Sequence, residues 1–201
     1  MSAFLGPIHF WMYNKIQVQQ QIVEGLLEIS KESIPGLKKE LDDLYGESET
    51  APLEEIIDEG NIHGWLQSRV SQVEYKLAYT VTEILKHDSD QLARIQEVFE
   101  ENGKKIAASV KISSASQAFK LMNDSLLDGM PCDHVNSVIK ESDDEAVWKK
   151  NSCVHSLYWE QVAGKVEIYY QLRDCYLAGL LFASSFAYEK IDKNTSRFVK
   201  A

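Results

Sequence analysis

Cysteine and histidine are the side chains of this sequence best suited to chemistry, and the stretch from Cys132 to His155 carries two of its three cysteines and two of its five histidines. It opens as Cys132-Asp133-His134 and closes as Ser152-Cys153-Val154-His155, with the turn-forming Ser142-Asp143-Asp144-Glu145 between. Folded about that turn as a β-hairpin, the arms bring Cys132 and Cys153 to the same end. Thiolate sulfur and neutral imidazole are the ligands that zinc and other borderline metals prefer, and four of them close a tetrahedron. Cys132, Cys153 and His155 could supply three, with His9, His63 or a water as the fourth, so the expected cofactor is a transition metal, zinc or iron. The opposing reading is burial, because cysteine packs as a small hydrophobe and Cys-x-His is not a zinc-finger spacing. A second chemistry makes Cys153 a catalytic nucleophile, with His155 or His134 as its base and Glu160 or Asp133 orienting the ring.

His9 and His63 enter because they are duplicated. Gly6-Pro7-Ile8-His9-Phe10-Trp11-Met12 returns as Gly60-Asn61-Ile62-His63-Gly64-Trp65-Leu66, and Lys15-Ile16 returns as Arg69-Val70 at the same offset. A two-fold repeat is too short for a solenoid and reads as a pair of equivalent helix starts packed in one core. Each histidine then lies in a first helical turn, where free backbone donors disfavour imidazolium and leave the imidazole able to ligate a metal. Packing is the plainer reading, with Trp11 and Trp65 filling equivalent core slots.

The elements that must position these groups follow from periodicity. Gly6-Pro7 opens a helix running to about Ile29, and a second spans about Pro35 to Tyr45, stopping at Gly46. After an acidic connector, the cleanest stripe in the chain, Ile62, Leu66, Val70, Val73, Leu77, Val81 and Ile84, predicts a central core helix. Asp88 starts a further helix that Gly103 is expected to end, and Lys104 to Asp128 reads as helical with a restart near Ser114. Beyond Gly129 the period changes to two. Val135 to Glu141 and Ala146 to Ser152 form the hairpin arms, two helices follow, and Phe186–Ile191 with Arg197–Val199 make a second hairpin. The fold class is α+β in a single domain spanning residues 1–201. Residues 1–129 form a helical layer; residues 130–201 form a small antiparallel sheet with two further helices.

Composition narrows the function. The formal charge of −10 would repel phosphate backbones, and no basic run offers a local exception, so no nucleic-acid partner is expected. The longest apolar run, Cys175 to Tyr188, is too short to span a bilayer, and no membrane partner is expected either. Three cysteines without a close pair argue for reduced thiols, and the first basic residue is Lys15, so the expected location is cytoplasmic.

Near the C-terminus Tyr158, Trp159, Tyr169, Tyr170 and Tyr176 gather beside Arg173 and Asp174, a set that suits core packing or the wall of a ligand pocket. The last third of the chain also has a recognisable layout. A strand ends in Trp148-Lys149-Lys150-Asn151-Ser152-Cys153, then come a helix, a second helix bearing Cys175, and terminal strands. This resembles the 4-vinyl reductase type domain and the related 2-aminothiazoline-4-carboxylate hydrolase-like proteins. The resemblance implies an α+β small-molecule-binding domain with functional cysteines, and Cys153 is the one position carried over. The chain departs from that pattern in lacking the proline that often follows the first cysteine and in having the duplicated helix start.

The leading expectation is a protein that binds a small-molecule ligand or a metal, a metalloenzyme in one form, with Cys132, Cys153 and His155 at the mouth of a pocket between helices and sheet. The alternatives are a non-catalytic interaction protein using acidic helices such as Lys38 to Tyr45, and a cysteine-dependent hydrolase.

Overall fold

A computed structural model describes residues 4–108 and 110–201. Among them are eight α-helices: α1 (Pro7–Ser30), α2 (Leu37–Tyr45), α3 (Leu53–Ile56), α4 (Ile62–His87), α5 (Leu92–Ala107), α6 (Ala115–Ser125), α7 (Ser156–Gln161) and α8 (Val166–Leu181). The four strands are β1 (Asn136–Glu141), β2 (Glu145–Lys150), β3 (Phe186–Lys190) and β4 (Thr195–Lys200). The α+β expectation holds, with helices first and one antiparallel sheet after Gly129. The two hairpins join through β2 and β4 into the order β1-β2-β4-β3. Among the described residues no helix is long and apolar enough to cross a membrane.

The apolar stripe of α4 is buried at all seven of its predicted positions. Its neighbour α1 lies alongside and runs the same way: the rings of His9 and His63 are 5.6 Å apart at their starts, and Gln19 reaches Glu74 further along. The duplicated starts therefore stand side by side. The tryptophans do not fill equivalent core slots, however. Both are half-buried; Trp11 donates to Asp124 Oδ1 at 2.9 Å, while Trp65 packs on Tyr13. Each also carries the repeated cation over its ring, Lys15 on Trp11 and Arg69 on Trp65.

Gly103 does not end a helix. It lies inside α5, where this helix crosses α8 at Gly179, and a Cβ on either glycine would run into the backbone of the other helix. Close approach is the reason for glycine here, not termination. The expected helix across Lys104–Asp128 is divided between the end of α5 and α6, whose start is capped by the Ser114 hydroxyl accepting from Gln117 N at 3.1 Å. Ser109, within that stretch, lies outside the described residues.

The sheet packs its β2 and β4 centre against the helices. Ala146, Val147 and Trp148 of β2 and Phe198 of β4 are buried, whereas β1 is exposed over most of its length. A register shift between Val138 and Lys140 bends that edge strand, which discourages edge-to-edge pairing.

Candidate functional site

The pairing Asn136↔Lys150 closes the first hairpin at its open end. On one side the chain enters through a short 3-10 turn at Pro131–Asp133; on the other it leaves through Asn151–Val154 into α7. Cys132 and Cys153 both fall in these exposed flanks. His155, two residues beyond Cys153, points the other way and is fully buried.

His155 belongs to a charged network inside the helical layer. Its Nδ1 lies 2.9 Å from Glu74 Oε2, and its Nε2 lies 3.5 Å from Asp128 Oδ1, an ion-pair contact without hydrogen-bond geometry. Asp128 takes a two-pronged grip from Arg173, whose Nη1 and Nη2 donate to Oδ1 and Oδ2 at 2.6 and 2.9 Å. Gln19 Nε2 donates to the other oxygen of Glu74 at 3.0 Å, and Tyr169 lies over the imidazole with ring centroids 4.0 Å apart. Two carboxylates thus face one guanidinium and one imidazole. Burial opposes charge on the imidazole, but Glu74 and Asp128 outweigh it and hold its pKa up at about 9. Burial likewise pushes the Asp128 carboxyl up, and Arg173 with His155 overcomes this and keeps it well below the usual carboxylate range. At neutral pH His155 carries both ring protons, leaving no lone pair to take the Cys153 proton or to bind a metal.

This arrangement fixes a pH dependence. A group whose pKa is higher folded than unfolded contributes stability below its unfolded value, lost as pH rises through the folded one. For His155 that window runs from 6.5 to about 9. Lys15 acts with the opposite sign above about 8, because burial lowers its pKa to that value. Between these limits His155 is the main contributor, opposed by Cys153, whose lowered pKa adds stability as pH rises, and stability should fall by up to roughly 2 kcal/mol, at most one decade of protonation per pH unit. Urea midpoints measured from pH 6.5 to pH 8 check this, and His155→Gln should flatten the slope; a wild-type curve that is already flat refutes the assignment.

Cys153 faces a different space. A cavity of about 420 Å³ lies between α8 and the sheet, lined by Trp148, Lys150, Cys153, Tyr170 and Tyr188 among others. The thiol is partly buried, which raises its pKa, but Tyr170 OH donates to Sγ at 3.2 Å and the backbone N–H groups of His155 and Ser156 also point at it; with the nearby imidazolium they bring the pKa below the ordinary thiol value. Around the wall, Lys190 pairs with Asp174 at 2.5 Å and Arg173 with Asp128, while Lys150 makes no ion pair among the described residues and has the Tyr170 ring 3.6 Å from its Nζ. Of the C-terminal aromatic group, Trp159, Tyr169 and Tyr176 are core, and Tyr170 lines the cavity with Arg173 and Asp174.

The five expected metal donors, Cys132, Cys153, His155, His9 and His63, do not converge. His9 and His63 meet each other, with His9 buried and its Nδ1 accepting from Gly6 N at 2.9 Å, while His63 is exposed. His155 is occupied by carboxylates and Cys153 by Tyr170. Among the described residues no group of three or more His, Cys, Asp or Glu side chains could hold a metal ion. The physical reason is the chain direction after β2: it turns into α7 between Cys153 and His155, so the two side chains part to opposite sides. The acidic helix α2 is also largely neutralised at home, by Lys38–Asp42, Lys39–Asp43 and the buried Lys76–Asp42 pair.

Glu74, Asp128 and Lys150 escaped sequence reasoning. One signal was present: Glu74 sits beside Val73 on the apolar stripe of α4, where a carboxylate needs a buried partner. No family model matches this chain, and neither the curated proteins nor the solved structures contain a match to it.

Proposed function

We propose that the chain binds a small planar anion in the cavity between α8 and the sheet, with Cys153 at the wall. The observation that carries this reading is Lys150: an ammonium on the cavity wall that has no carboxylate partner among the described residues, set among Trp148, Tyr170 and Tyr188. Aromatic walls stack a flat ligand and a free cation orients its charge, the usual division of labour in a small-molecule pocket. Burial lowers the pKa of Lys150, and the neighbouring Cys153 raises it, so an anion delivered to this place restores a neutralising partner. The resemblance of the last third of the chain to small-molecule-binding domains with functional cysteines supports the same reading.

A second reading, thiol-dependent hydrolysis, is favoured by the hydrogen bond from Tyr170 to Cys153. The Cys153 thiolate would attack an acyl carbon and expel the leaving group, and water would then cleave the thioester.

Calorimetric titration with 2-naphthoate and with uncharged 2-naphthamide separates these ideas. Naphthoate should bind more tightly, and Lys150→Met should weaken it about tenfold, or 1.4 kcal/mol. Equal binding of the two probes, or no change in Lys150→Met, would overturn the anion site. For the thiol reading, iodoacetamide should modify Cys153 ahead of Cys132, which is also exposed, and Tyr170→Phe should slow it; equal rates at the two cysteines would refute that reading.

A further inference from the structure

A second cavity, of about 190 Å³ and open to solvent, shares Asp128 and Asn136 with the first and is lined also by Trp11 and Lys15 of α1, Asn123 of α6, and His134. Lys15 is only 3% exposed. Among the described residues its Nζ makes no hydrogen bond and no ion pair; its close neighbour is the face of Trp11, 4.1 Å from the ring centroid. The contrast with Lys76 is instructive. That lysine is equally buried, and its Nζ is held by Asp42 at 2.9 Å and Ser48 at 2.8 Å. Buried ammonium groups are paired as a rule, since desolvation costs several kcal/mol. An unpaired one in the wall of a cavity indicates a group reserved for a ligand.

The charges around Lys15 select the ligand. Burial is the main reason its pKa falls, to about 8; Asp128 and Asp124 act against that and Arg173 with it. An anion entering this cavity would be repelled by Asp128 in its lining and by the nearby Asp124, whereas an uncharged ligand would not be. A desolvated lysine beside another cation is the arrangement in which an amine, partly unprotonated near neutral pH, becomes a nucleophile.

We propose that Lys15 is an imine-forming residue, whose amine condenses with a small uncharged aldehyde or ketone admitted to this cavity. The nitrogen lone pair attacks the carbonyl carbon and the C=O pair moves to oxygen, which takes a proton lost by nitrogen. The C–O bond then breaks as C=N forms, and the oxygen leaves as water with the second amine proton. The result is one imine and one water from one amine and one carbonyl. This site is independent of the anion site beside Cys153, and neither stands or falls with the other.

The test uses the unmodified chain with acetone as the probe and cyanoborohydride as the hydride donor, which traps the imine as an isopropylamine read by peptide mapping. Near neutral pH Lys15 should be alkylated at least about tenfold faster than exposed Lys149, because the unprotonated fraction of an amine grows a decade per unit of pKa. The α-amino group is scored on its own peptide. Asn123→Trp, a change at an exposed position of the lining, should slow Lys15 alone by narrowing the entrance. Alkylation of Lys15 no faster than Lys149, or at a rate indifferent to Asn123→Trp, would overturn the proposal.

Discussion

Arg173→Met is expected to lower the stability of the fold by about 3–5 kcal/mol, the range for removing one partner of a buried ion pair. The guanidinium donates to both oxygens of Asp128, and both side chains are close to nine-tenths buried. Methionine fills much of the volume but leaves the carboxylate with one neutral donor, Asn136 Nδ2 at 2.8 Å from Oδ2, and with the imidazole at 3.5 Å as its nearest cation. The loss is large against the 5–15 kcal/mol that holds a typical domain. It should appear as a lower urea midpoint with an unchanged slope. The double variant Asp128→Asn with Arg173→Met removes both charges and leaves His155 to Glu74, so it should regain much of the loss. A single variant within about 1 kcal/mol of wild type would show that Asp128 relaxes to solvent, as surface pairs do, and is not locked in the interior.

Gly179→Val should be as damaging for an unrelated reason. At the crossing of α5 and α8 the added Cβ is driven into the carbonyl of Glu100, and backbone, unlike a side chain, has no rotamer to yield. Separation of the helices would also strip contacts from Phe99, Leu172, Tyr176 and Leu180, all buried there. Valine is a better helix former than glycine, so local propensity works in favour of the variant by a few tenths of a kcal/mol. A loss of about 3 kcal/mol or more is nevertheless expected. Ala178→Val, one residue earlier and exposed, is the control that carries the same side chain without the clash. Comparable thermal midpoints for the two variants would mean that the helices can move apart at little cost.

Both expectations rest on features that no single stretch of sequence displays, which marks the division between what was legible and what was not. The helices and hairpins could be read because their apolar periods are local. The stripe of α4 is buried where it was predicted, and the period-two segments after Gly129 became a single sheet. The duplicated start beginning at Gly6 and Gly60 likewise announced two helices that lie together. Gly103 was misjudged because glycine has two uses, ending a helix or admitting a neighbour, and only the neighbour distinguishes them.

By itself the sequence determined the α+β class, helices before hairpins, and the place of Cys153 at the first hairpin's open end; that the thiol is exposed there and not packed in the core was decided by the tertiary structure. Tertiary structure alone decided the partners. Glu74, Asp128, His155 and Arg173 are drawn from four separate places in the chain, and a charge can be buried only where opposite charges arrive to meet it. The same assembly separated Cys153 from His155, sending the thiol toward a cavity bordered by Lys150 and the imidazole into the core. Two residues apart on paper, they face different surroundings because the backbone turns between them, and that turn is set by packing on both sides.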